Sequence, residues 1–187
     1  MKKFELTREF ITFLGRKLFR IKALVEFGDV KAGELGGYVE KEENINHEGN
    51  AWVYGNARVY GDARVYGDAR VSGDARVYGN ARVYGDAWVS GDAWVYGNAR
   101  VYGDALVVKQ EDIIFTAAKF GTIFRTTTAY RTTDGIQINC GCFSGNLEEF
   151  REQIIQTRDG RMRKKYLYHA DEIEMYFDLD LEKREEK

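Results

Sequence analysis

Ten valines spaced six residues apart, from Val53 to Val107, constrain this chain more than any other feature. Glycine keeps the same period from Gly49 to Gly103 and is always followed by Asp or Asn. A period of six cannot be helical, because the apolar positions would smear around a helix surface. Each unit instead supplies four strand residues: Ala, then Arg or Trp, then Val, then Tyr or Ser. Alternation sends Ala and Val one way and Arg and Tyr the other. The Gly-Asp or Gly-Asn pair then turns a corner, since Gly and Asn tolerate left-handed backbone and Asx side chains bond the local backbone. Short strands joined by identical corners wind a solenoid, and Ala and Val are small enough to fill a narrow prism.

The run AWVYGN-ARVYGD-ARVYGD-ARVSGD, continuing to ALVV, resembles the hexapeptide-repeat family. That family folds as a left-handed parallel β-helix with three hexapeptides per triangular coil. Residues 18 apart would then stack at the strand spacing of about 4.8 Å. The sequence supports this register independently. Ser replaces Tyr only at Ser72 and Ser90, which are 18 apart, and Trp52 and Trp88 differ by 36. One wall therefore carries Trp52, Arg70, Trp88 and Leu106, a second Arg58, Arg76 and Trp94, and a third Arg64, Arg82 and Arg100. Beside the last two run Tyr60, Tyr78, Tyr96 and Tyr66, Tyr84, Tyr102.

Outside the repeat, ITFLGRKLFRIKAL reads as a hairpin turning near Gly15-Arg16. The segment up to Asn50 caps the open end, with Ile45 in an Ala position and His47 in an inward Val position. After Val108 the period stops, and a stretch rich in Thr, Ile, Phe and Tyr reads as three strands with turns at Lys119–Gly121 and Asp134-Gly135. Asn146 and Glu149 form a capping box that opens a helix, broken at Asp159-Gly160. A second helix carries Met162, Tyr166, Ala170, Ile173 and Phe177 on one side, and the tail EKREEK frays. The expected fold is mostly β: a left-handed parallel β-helix (hexapeptide-repeat solenoid) with a small C-terminal α+β domain. Its parts are residues 1–50 (hairpin and cap), 51–108 (β-helix) and 109–187 (three strands, two helices).

Composition bounds the function. Lys plus Arg total 28 against 30 Asp plus Glu in 187 residues, so no global charge points to nucleic acid or membrane. No stretch approaches the roughly 20 apolar residues of a membrane span, and Glu5, Arg8 and Glu9 interrupt any secretion-signal core. Cys140 and Cys142 are too few and too close for a disulfide framework and read as packed thiols. A protein of a reducing bacterial cytoplasm is expected.

Many hexapeptide-repeat proteins are acyltransferases, and the resemblance implies a histidine base in a cleft between subunits. Only His47 and His169 exist, the first reading as packed in the cap and the second as surface or partly buried. No insertion interrupts Ala51 to Val107 to wall a site. Neither a catalytic constellation, nor a metal cluster, nor a cofactor motif is legible, and no enzyme is expected. The corner aspartates (Asp68, Asp86, Asp104 and Asp74, Asp92) read as turn-bonding groups rather than calcium ligands. Between Ala51 and Ala105 six arginines meet six aspartates, which reads as a solvated, self-paired surface. Trp52, Arg70, Trp88 and Trp94 break the pattern and are the candidate binding residues, exposed Trp beside Arg being interface hot-spot chemistry. A second candidate is the basic run Arg158, Arg161, Arg163, Lys164 and Lys165 at the opening of the last helix.

With the leader LGGYVEKE…NHEGNAWVYG and the closing GCF-x-G…EEF helix, the chain also resembles hexapeptide-repeat proteins common in phages and prophages. That resemblance implies a mobile-element origin. The expected function is non-catalytic binding: docking on and inhibiting a host macromolecule such as a CRISPR-type defence nuclease. The alternatives are sequestration of a nucleotide signal and a diverged acyltransferase. A protein partner and homo-oligomers (dimer or trimer) are expected, with nucleic acid or nucleotide as the alternative partner and no membrane.

Overall fold

A computed structural model of the chain describes residues 1–120 and 123–177, with side chains outside 117–125. Gly121 of the expected turn at Lys119–Gly121 and the tail EKREEK lie outside the described residues. Three strands come first: β1 (Phe4–Phe13), β2 (Arg16–Ala23) and β3 (Leu35–Val39). Ten two-residue strands follow, β4 (Trp52–Val53), β5 (Arg58–Val59), β6 (Arg64–Val65), β7 (Arg70–Val71), β8 (Arg76–Val77), β9 (Arg82–Val83), β10 (Trp88–Val89), β11 (Trp94–Val95), β12 (Arg100–Val101) and β13 (Leu106–Val107). They pair in parallel with the strand three units on, forming the walls β4-β7-β10-β13, β5-β8-β11 and β6-β9-β12 of a β-solenoid. Trp52 lies opposite Arg70, Arg70 opposite Trp88, and Trp88 opposite Leu106, so the 18-residue coil expected from the Ser and Trp spacing is the one observed.

All ten repeat valines are fully buried, and so are the alanines, the least buried being Ala105 at 2 % exposed. Burying a valine stabilises by about 1.5–3 kcal/mol, so the inward columns are the main cohesive force of the solenoid. At the corners the glycines take φ between 59° and 72°, whereas the Asp or Asn that follows keeps negative φ. Ala57 N–H donates to Tyr54 O at 3.1 Å and Ala75 N–H to Ser72 O at 3.3 Å, closing four-residue turns. Only glycine uses the left-handed region, a correction to the expectation that Asx shares it. Besides these bonds within a turn, the corners bond from coil to coil. Asp68 N–H donates to Gly85 O at 3.0 Å and Asn80 N–H to Gly97 O at 2.8 Å. Asn50 Nδ2 donates to Asp68 Oδ1 at 2.7 Å. A Cβ on Gly85 would sit 2.9 Å from Gly103 N, so the stacked corners leave no room for a side chain.

The N-terminal residues close the open end of the solenoid. β1 and β2 form the expected hairpin, and β3 runs parallel to β5, prolonging the second wall into a six-stranded sheet. Peptide groups at the bare edge of the first coil find side-chain donors. Asn44 Nδ2 donates to Gly61 O and Ala63 O at 3.1 and 2.8 Å. Lys3 Nζ donates to Gly49 O and Ala51 O at 3.1 and 2.9 Å. Ile45 bridges Val65, so Ile45 and not His47 takes the inward Val position. The cap enters two residues out of the hexapeptide register, which sequence counting could not reveal. Residues 1–110 form one compact unit.

The second unit begins at Glu111. Its antiparallel sheet runs in the order β14 (Ile113–Phe120), β15 (Ile123–Thr132), β16 (Gly135–Cys140), β17 (Phe143–Gly145), one strand more than the three expected. The helices are α1 (Leu147–Thr157) and α2 (Gly160–Tyr176). Asn146 and Glu149 cap α1 reciprocally at 2.9 Å each. Phe150, Ile154, Tyr166, Ala170, Ile173 and Phe177 pack on Ala129, Ile136 and Ile138 of the sheet. Arg151 ties the two helices together through Asp171 and Glu174.

Candidate functional site

The third wall carries a tyrosine column beside its arginines. Tyr66, Tyr84 and Tyr102 stack with centroids 4.7 and 4.6 Å apart and planes within 5° and 20°. A matching stack on the second wall, Tyr60, Tyr78 and Tyr96, has spacings of 5.0 and 5.1 Å. The two stacks end differently. Phe13 of the hairpin meets Tyr60 edge-on at 5.8 Å, and the guanidinium groups of Arg58 and Arg76 lie 4.5 and 5.0 Å from the Phe13 ring. Tyr60 is buried there. On the third wall the bridge from Ile45 to Val65 puts Asn46, a short side chain, where the next tyrosine would stand. A groove of about 580 Å³ opens at that point, lined by Glu42, Glu43, Ile45, Asn46, His47, Arg64, Val65, Tyr66 and Arg82. A smaller groove of about 340 Å³ lies on the other side of Arg64 and Arg82, beside Lys41 and Asp62.

Arg64 and Arg70 do not pair with the corner aspartates of the repeat within 4.0 Å, which departs from the sequence expectation. Arg70 does make a short ion pair, at 2.6 Å, but with Asp29 outside the repeat. Among the described residues, no carboxylate lies within 4.0 Å of the Arg64 or Arg82 guanidinium. Arg76 rests between two rings, its guanidinium also 4.7 Å from the Trp94 ring.

The tryptophans divide into two kinds. Trp52 is fully buried, edge-on to Phe4 at 5.9 Å and to Phe27 at 5.3 Å. It is a plug beneath the cap and not an exposed binding residue, because the N-terminal segment folds over the first wall. Trp88 remains 48 % exposed and donates from Nε1 to Ser72 Oγ at 3.2 Å. Trp94, on the second wall, is 41 % exposed.

His47 lines the third-wall groove but has little freedom to act as a base. Its Nδ1 accepts from Lys3 N–H at 3.1 Å, its ring stacks on Phe4 at 4.5 Å, and Nε2 faces Glu42 Oε2 at 3.7 Å. With Nδ1 accepting, the neutral ring carries its proton on Nε2, leaving no lone pair for a substrate proton. His169 is buried on α2 and not at the surface, with Nδ1 3.0 Å from Glu172 Oε2. Cys140 is buried and accepts from Thr127 Oγ1 at 3.2 Å, whereas Cys142 is exposed on the β16–β17 turn and so is not a packed thiol. Among the described residues no group of three or more His, Cys, Asp or Glu is gathered to hold a metal ion.

The basic run also splits. Arg163 turns back to α1, donating to Arg158 O at 2.7 Å and Ile155 O at 2.9 Å, and so caps that helix. Arg158 lies 5.5 Å from the Tyr166 ring. Arg161, Lys164 and Lys165 stay exposed at the first turns of α2. Burial raises the phenols of Tyr60, Tyr78 and Tyr84 above their ordinary value. Burial lowers Lys3 to about 8, with Asp68 opposing. The cap was expected from the sequence, but its register, its two side-chain donors and the groove were not legible there. The signal was present in Asn46, the residue that breaks the third-wall tyrosine column once the two-residue shift is known.

The family model described as the YdcK beta solenoid repeat matches residues 51–67, 63–77, 75–91 and 93–108. The matched segments coincide with the solenoid walls, and the description gives an architecture and no activity. No curated protein matches the chain. No helix among the described residues is long and apolar enough to cross a membrane.

Proposed function

We propose that the chain is a non-catalytic binding protein, a stiff β-solenoid that docks on a macromolecule through side chains displayed on its walls. The observation that carries this reading is the exposure of Trp88 and Trp94, 48 and 41 % of each, on coils with no inserted loop. Large aromatic surface left in water beside arginine is the usual chemistry of an interface hot spot. Both tryptophans stand on backbone bonded to the next coil or to Gln110, with Trp88 N–H donating to Ala105 O at 2.8 Å and Trp94 N–H to Gln110 Oε1 at 3.1 Å. Docking there orders side chains and little backbone, which limits the entropy lost on association. The His47 Nδ1, already accepting from Lys3 N–H, weighs against acyl transfer by that residue.

The specific form implied by the phage-type resemblance is an antagonist of a host defence nuclease, with Arg161, Lys164 and Lys165 as a second, anion-seeking contact. Capture from a bacterial lysate, using the wild type and the Trp88→Ala/Trp94→Ala double variant as baits, tests the reading. A specific partner lost with the double variant supports it. Recovery of the bait alone, or of identical partners with both baits, rejects it.

A further inference from the structure

We propose that the groove below Tyr66 takes a single nucleotide, its base stacked on the free face of Tyr66 and its phosphate held by Arg64 and Arg82. Tyr66 has a ring partner on one side, Tyr84, and Tyr84 does not line the groove, so the cavity meets Tyr66 from the cap side. A tyrosine stack that ends in open space is a platform for one more planar ring, and base–aromatic stacking of this kind tolerates any base. The second wall provides the comparison, because there Phe13 already closes the equivalent end.

Charge points to the same ligand. Arg64 and Arg82 are adjacent rungs of one ladder, on strands that the sheet spaces about 4.8 Å apart. Their like charges share one side of the groove, and among the described residues no carboxylate lies within 4.0 Å of either guanidinium. An anion bridging both would offset these charges, and the guanidinium fork matches phosphate oxygens. Glu43 on the cap side of the groove offers an acceptor for ribose hydroxyls or base amino groups. At about 580 Å³ the groove has the size of a small-molecule site and not of a polymer track.

Isothermal titration calorimetry of the full chain against ADP, GDP, adenosine, inorganic phosphate and a single-stranded oligonucleotide tests the proposal. Saturable binding of ADP or GDP is expected, with adenosine and phosphate each weaker by about tenfold or more. Tyr66→Phe should bind like the wild type, while Tyr66→Ala and Arg64→Ala/Arg82→Ala should each lose about tenfold or more. Unchanged thermal melting shows that each variant folds. If Tyr66→Ala does not fold, the arginine variant decides. The proposal is overturned by nucleotides that give no saturable heat at millimolar concentration, by phosphate binding as tightly as ADP, or by folded variants that bind like the wild type. Binding of the oligonucleotide with silent mononucleotides overturns it too. Lysate capture through Trp88 and Trp94 reads other walls, so the two readings fail separately.

Discussion

Replacing Lys3 by methionine removes a cation that the fold has pushed almost out of water. Lys3 is 3 % exposed, its ammonium donating to two carbonyls at the edge of the first coil and lying 4.6 Å from the Phe27 ring. Burial brings its pKa from 10.5 to about 8. In the unfolded chain the group stays protonated up to about 10.5, so between these values unfolding takes up a proton. Stability contributed by this group therefore rises with pH through that window, the reverse of a surface lysine that gains a partner. Each pKa unit is about 1.4 kcal/mol, so moving from about pH 7.5 to about pH 9.5 should stabilise the wild type by about 2 kcal/mol through Lys3 alone. The phenols of Tyr60 and Tyr78, raised by burial, act in the opposite sense and only above about pH 10. Urea denaturation followed by circular dichroism at several pH values, on the wild type and on Lys3→Met, isolates the effect as a difference of slopes. Asn44→Ala, which unsatisfies the neighbouring carbonyls without a titrating group, should lower stability by about 1–3 kcal/mol equally at every pH. Parallel pH profiles for wild type and Lys3→Met would show that Lys3 does not set the pH dependence of stability.

Other substitutions separate scaffold from surface. Gly85→Ala places a Cβ against Gly103 N and forces a left-handed alanine, and should destabilise by about 2 kcal/mol or more, read as a lower urea midpoint. Trp52→Ala should cost about 3–5 kcal/mol, whereas Trp88→Ala should stay within about 1 kcal/mol, a contrast that thermal melting measures directly. Val83→Ala, on an inward column, should cost about 2 kcal/mol in the same assay. Asn146→Ala removes the α1 cap and should lose about 1 kcal/mol, visible as a lowered urea midpoint of the second unit.

The repeat was legible because its rules are local. Val and Ala point inward by alternation, and Ser72 with Ser90 marks the coil length. The hairpin at Gly15 and the cap of α1 at Asn146 follow from equally short-range chemistry. What escaped depends on long-range register. His47 counts as inward only if the hexapeptide frame extends into the cap, and the bridge from Ile45 to Val65 shows that it does not. Trp52, Trp88 and Trp94 look alike in sequence, yet Phe4 and Phe27 bury the first and leave the others in water. Equal numbers of Arg and Asp suggested pairing, but outward arginines leave the middle of a wall while aspartates sit at the corners. The groove exists only because a shifted cap meets a tyrosine column, and no window of residues contains both.

The coil-to-coil hydrogen bonding makes length a free variable of this architecture. Each rung bonds only to its immediate neighbours, as Arg64 N–H does to Ala81 O and Arg82 N–H to Ala99 O. Duplicating any eighteen-residue segment would therefore leave the cap and the last rung undisturbed and move them apart by about 4.8 Å. Such a chain can act as a calliper whose jaws evolution resets by copying, without redesigning either end.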